Sequence, residues 1–122
     1  MRVLICGDRN WTDVETIFLV MKEYNSNETT VITGGAKGAD DIANQLAIKM
    51  NMKTEVYKAD WNLGKCAGPI RNWEMLTKGK PNVVLAFHDH LEKSKGTVDT
   101  ISKSRKLNIP VFIYTSKIEN KI

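Results

Sequence analysis

Val31-Ile32-Thr33-Gly34-Gly35-Ala36-Lys37-Gly38-Ala39-Asp40 decides the fold. A short β-rich run meets a glycine turn, and a helical stripe starts straight after it. Ala39, Ile42, Ala43, Leu46, Ala47 and Met50 recur at helical spacing. Strand, glycine loop and helix together offer backbone N–H groups and a helix N-terminus to a phosphate. Two further stretches share the design. Val3-Leu4-Ile5-Cys6 runs into Gly7-Asp8-Arg9-Asn10, and Val83-Val84-Leu85-Ala86-Phe87 leads through polar residues to Ser94-Lys95-Gly96-Thr97-Val98-Asp99. The repetition points to several loops converging on one anionic ligand.

Outward from these loops, strands and helices alternate. Residues 2–6 read as the first strand. Val14, Ile17, Phe18, Met21 and Tyr24 form a helical stripe, with Thr12 or Asp13 as its cap. The second strand covers 29–33, and the third about 53–58 with Val56 its clearest core residue. A long loop at 59–69 precedes a helix over 69–78. Residues 82–87 are apolar throughout, as a central parallel strand requires. A polar loop at 88–95, a helix over 96–106 and a strand at 110–114 complete the pattern. This predicts an α/β chain: a single-domain, Rossmann-like three-layer sandwich around a five-stranded parallel sheet of order 3-2-1-4-5. The switch point lies between the first and fourth strands, with the three loops at its carboxyl edge. The domain is expected over 1–115, followed by a charged tail, 116–122, that frays.

The bulk numbers fit. A chain of 122 residues with 42% hydrophobic content builds a core without disulfides or a structural metal. A net charge of +4 suits an anionic small ligand as well as nucleic acid. The two cysteines, Cys6 in an apolar run and Cys66 in a loop, suggest reduced thiols and a cytoplasmic location. No stretch approaches the roughly 20 apolar residues of a membrane span, so no membrane partner is expected.

Candidate ligand contacts follow from residue type and place. The Gly34-Gly35-Ala36-Lys37-Gly38 backbone lets a phosphate approach closely, and Lys37 adds charge. Arg9 suits a phosphate fork, and Asp8 or Asp40 suits a ribose hydroxyl. Trp11 fits either under a base or in the interior, and Trp61 is a second base-stacking candidate. Arg71 falls in the first turn of the third helix, where the dipole disfavours a cation, so it needs an anionic partner in the protein or in a ligand. Asn72 is placed to orient it, while Trp73, Met75 and Leu76 read as core. Ser94, Gly96 and Thr97 open the fourth helix with N–H groups and hydroxyls. His88 reads as a pocket residue. With His90 it sets up only two ligands of a metal site, so no metal is expected.

Five pieces in order resemble the SLOG group of Rossmann-like proteins, which includes the LOG phosphoribohydrolases, DprA and the YpsA-like proteins. The resemblance is greatest to the small YspA/YpsA-related branch. The pieces are Gly7-Asp8-Arg9-Asn10-Trp11-Thr12-Asp13, Thr33-Gly34-Gly35-Ala36-Lys37-Gly38-Ala39-Asp40, Ala59-Asp60-Trp61, Ala67-Gly68-Pro69-Ile70-Arg71-Asn72 with Met75, and Ser94-Lys95-Gly96-Thr97-Val98-Asp99. The resemblance implies a nucleotide-type ligand, for example NAD-derived or ADP-ribose-like, bound by a sensor or sequestering protein with no required cofactor. By analogy it also implies a homo-oligomer. The LOG enzymes imply an alternative: hydrolysis of the N-glycosidic bond of a nucleoside monophosphate by Arg71 and Asp99. Their glutamate, three residues after the Gly-Thr, falls at Thr100 here, and a helix turns about 100° per residue, so Asp99 points elsewhere. DprA implies a third reading, single-stranded DNA handling. It is disfavoured because no basic stripe carries interleaved aromatics.

Overall fold

In the computed structural model, which describes residues 1–116, the strands are β1 (Arg2–Gly7), β2 (Thr30–Thr33), β3 (Lys53–Val56), β4 (Val83–Phe87) and β5 (Val111–Tyr114). The helices are α1 (Val14–Lys22), α2 (Ala39–Lys49), α3 (Ala67–Thr77) and α4 (Gly96–Lys106). All strand pairs are parallel, in the order β3-β2-β1-β4-β5. The register sets Gly7 beside Phe87 and Thr33 beside Val56, so the carboxyl ends of four strands share one edge.

Alternation divides the core. Val3, Ile5, Val31, Leu85 and Phe87 pack with α1 and α2 on one face. Leu4, Cys6, Ile32, Val84 and Ala86 pack with Met75, Leu76 and Ile101 on the other. This is the expected three-layer sandwich. Every residue of β4 is buried because the strand is central and covered on both faces. Burial, and secondarily the Asp40 carboxylate, push the Cys6 thiol far up, so it packs as a neutral side chain.

Several boundaries and burials differ from the sequence reading. Val56 is exposed, and β3 is an edge strand of the sheet. Val14, Phe18 and Trp73 are also exposed, and Val20 takes the inward position on α1. The 59–69 loop contains a 3-10 segment, Trp61–Cys66, and α3 begins at Ala67. Ser116, placed in a fraying tail by its sequence, is buried. Its N–H donates to Asp89 Oδ1 (2.6 Å) and its hydroxyl to Asp13 Oδ2 (3.3 Å). The rest of the tail, 117–122, lies outside the described residues.

Candidate functional site

The loop after β1 forms the floor. Asp8 N–H donates to Phe87 O (2.9 Å), and Asp8 Oδ1 accepts from Asn10 N (2.9 Å), closing an Asx turn. Arg9 and Asn10 are left exposed. Trp11 turns back into the core, 5% exposed, with its ring edge-on to Phe87 and its Nε1–H on Asp13 O (2.8 Å). The indole is therefore engaged inside the protein, and the base-stacking expectation for Trp11 is corrected.

The glycine loop after β2 is pressed onto this floor. Gly38 has φ +75°, and a Cβ there would lie 2.3 Å from Asp8 O and 2.5 Å from the Arg9 carbonyl. Ala39 N–H donates to Asp8 O (3.1 Å), joining the start of α2 to the β1 loop. Asp40 is turned inward. Its Oδ2 accepts from Gly34 N (2.9 Å) and, at 3.5 Å, faces Ala36 N. It is 6% exposed, so the expected ribose contact gives way to a loop-bracing role, and the Gly34 N–H is already used. Burial raises the Asp40 carboxyl to about 6 against the pull of the loop amides and Arg71. The N–H groups of Gly35, Lys37 and Gly38 make no hydrogen bond among the described residues. Lys58, which the sequence reading passed over, lies beside this turn: its Cγ would sit 3.3 Å from a Cβ on Gly35.

From the opposite layer, Arg71 reaches the same loop. Its Nη1 donates to Gly34 O (2.7 Å) and its Nε to Asn72 Oδ1 (2.9 Å). Asn72 Nδ2 donates to Asp99 Oδ2 (2.9 Å), which also receives Lys103 Nζ (2.5 Å). Asp99, named by the sequence with Arg71 for the hydrolase alternative, is thus engaged through Oδ2 in the α3–α4 seam. Thr100, at the glutamate position, is buried and its hydroxyl donates back to Gly96 O (3.2 Å). Lys103 is a residue the sequence reading missed, although its i,i+4 spacing from Asp99 was a legible signal.

The third loop contributes Ser94, whose Oγ accepts from Thr97 N (3.0 Å) and caps α4. Gly96 borders open space: a Cβ there would meet nothing within 4 Å. His88 is buried at the end of β4. Its Nδ1 accepts from His90 N (2.9 Å), which leaves the proton on Nε2. Trp61 is 68% exposed, near the Gly68 backbone. Among the described residues no three His, Cys, Asp or Glu side chains gather to hold a metal. No helix of the described residues is long and apolar enough to cross a membrane.

The first 64 residues, which carry the β1 and β2 loops just described, match the model of the YspA, cpYpsA-related SLOG family. The chain belongs to that family. This SLOG chain is also similar to the Gene 61 protein of Mycobacterium phage D29, 38% identical over 125 aligned positions that cover 95% of this chain and 98% of the phage protein. Its fold is similar to that of DNA processing protein A (DprA) from Streptococcus pneumoniae, with a TM-score of 0.75 at 18% identity. That match covers 92% of this chain but 49% of the DprA chain, so the SLOG chain spans about half of DprA's length.

Proposed function

We propose that this SLOG chain binds a nucleotide or nucleotide-derived ligand as a sensor or sequestering protein. The carrying observation is the seating of the glycine loop. Gly38 packs on the Asp8 and Arg9 backbone while, among the described residues, the N–H groups of Gly35, Lys37 and Gly38 find no partner beside the exposed cations Arg9 and Lys37. Unpaired N–H groups at a helix start, with cations at hand, suit a phosphate. In this reading Arg71 supplies further positive charge and the open space at Gly96 admits the ligand. Exposed Trp61 offers a face to the base, and Asp8, through its second oxygen, addresses the ribose.

The LOG-like hydrolase reading is weaker. Asp99 already serves Lys103 and Asn72, and Thr100 bonds its own helix. A DNA-handling reading rests on the fold shared with DprA alone. One experiment separates all three. The protein is titrated with nucleoside monophosphates, NAD, ADP-ribose and single-stranded DNA by thermal shift, and each mixture is then chromatographed for free base. The expected result is a shift with a mononucleotide or ADP-ribose and no released base. Released base makes it a hydrolase. A salt-sensitive response to DNA alone favours the third reading. No response to any ligand removes the phosphate-loop reading.

A further inference from the structure

We infer that Asn72, Asp99 and Lys103 form a polarity-directed relay that fixes the Arg71 guanidinium for anion binding, with Lys103 and Asp99 acting as positioning residues. The inference rests on the proposed ligand site only for what Arg71 does once positioned. The relay itself is a property of the unliganded chain.

The direction of each bond follows from the one before it. Lys103 Nζ, on a side chain 9% exposed, can only donate, and it donates to Asp99 Oδ2 and to Pro69 O (3.2 Å). The Trp73 ring lies 5.2 Å from the same ammonium and closes its outer side. The Asp99 carboxylate can only accept, so Asn72 must turn its Nδ2 toward it at 2.9 Å. That choice leaves Asn72 Oδ1 facing the other way, where it meets the Arg71 Nε–H. Gly34 O takes a second proton, from Nη1. Among the described residues two of the five guanidinium N–H groups are then committed, which leaves three for an anion. A simple staple between α3 and α4 needs only Lys103 on Pro69 O, since Asp99 and Lys103 share α4. An amide interposed between a carboxylate and a guanidinium does something more: it converts the charge at Asp99 into an orientation at Arg71. α3 begins at Ala67, so Arg71 is its fifth residue, one position past the first turn in which the sequence places it, and its anchor is the pair of bonds to Asn72 and Gly34.

Polarity gives the test. In Asp99→Asn, Lys103 claims the new amide oxygen, and the new NH2 then faces Asn72. Asn72 must rotate to accept it, and its own NH2 confronts the Arg71 Nε–H, donor against donor. Asn72→Asp alone sets two carboxylates together. The exchange of both, Asn72→Asp with Asp99→Asn, restores a consistent chain. Lys103 then donates to the amide oxygen on α4, the NH2 of that amide donates to the carboxylate now on α3, and Arg71 donates to the same carboxylate.

Two readouts are taken at matched thermal midpoint. The first is the exchange rate of the Arg71 Nε–H by nitrogen-15 NMR, assigned with Arg71→Lys among the chain's four arginines. The second is calorimetric affinity for AMP and inorganic phosphate. The expected outcome is a slowly exchanging signal in the wild type that is lost in each single variant. AMP affinity falls about tenfold in each single variant, and both readouts recover to within about threefold in the double exchange. The relay is overturned if Asp99→Asn keeps both the signal and the affinity. It is equally overturned if the double exchange does no better than the singles. Should the variants fail to fold, the wild type decides alone: an Arg71 Nε–H that exchanges as fast as that of exposed Arg9 refutes the relay. A wild type that binds neither AMP nor phosphate defeats the proposed function, and the Nε–H signal then judges the relay separately.

Discussion

At the residue scale, two glycines separate architecture from ligand space. Gly38 combines φ +75° with backbone oxygen 2.3 Å from any added Cβ, so Gly38→Ala strains the turn and drives the β1 and β2 loops apart. A loss of about 2 kcal/mol is expected in urea denaturation. Gly96 has neither constraint. Gly96→Ala should leave stability within about 0.5 kcal/mol of wild type and yet weaken AMP binding, because the methyl enters the open space at the start of α4. Equal AMP affinity in that variant would take the α4 N-terminus out of the site. Asp40 gives a pH signature. In the unfolded chain its carboxyl ionises near 3.8, while burial in the fold raises it to about 6. Between those values the folded state holds the extra proton, so stability falls as pH rises through that window. Above pH 6 the full cost of about 3 kcal/mol is present. Wild type should therefore melt higher at pH 5 than at pH 7, and Asp40→Asn should flatten that difference. An unchanged slope in the variant would assign the pH dependence to another group.

At the element scale, helix ends were legible where a side chain declares them. Asp13 caps α1, with Oδ1 accepting from Thr16 N at 3.1 Å. Its other oxygen takes the Thr16 and Ser116 hydroxyls, and its carbonyl takes the Trp11 indole. Asp13→Ala should cost about 2 kcal/mol, the upper end for a cap, because it also unties Ser116 from the first helix. A loss well under 1 kcal/mol would show that the cap alone matters. The limits of α4 and the order of all five strands were readable for a similar reason: glycine loops and apolar runs act locally. Burial at the sheet edge was not readable. Val56 sits in an apolar-looking run, but only the sheet order makes β3 an edge and exposes it. Trp73 looks like core by composition, yet it lies on the outer side of α3 against Lys103. The loops of the candidate site were legible as loops. The partners of Asp40 and Asp99 were not, since a carboxylate in a first helical turn satisfies the dipole whether or not it meets anything else. Only the three-dimensional crossing of α3 over α4 brings Asn72 to Asp99.

At the scale of the whole molecule, the three loops are mechanically joined before any ligand arrives. Gly38 rests on Asp8, Arg71 holds Gly34, and Asp99 ties the Arg71 helix to α4 through Asn72. A single anion seated among them should therefore quiet all three together. Hydrogen exchange tests this without knowledge of the ligand's pose. In the free protein the amides of β1 and β4, central and buried, should exchange only through global unfolding, while those of edge strands β3 and β5 open earlier. AMP at 100 times its dissociation constant should slow the central amides in step with about 2.7 kcal/mol of added stability. It should additionally protect 7–11, 34–39 and 94–97, with the unpaired N–H groups of Gly35, Lys37 and Gly38 changing most. Protection confined to one of the three segments would mean that the loops serve separate purposes, because a ligand bridging them cannot leave two of them exchanging as before.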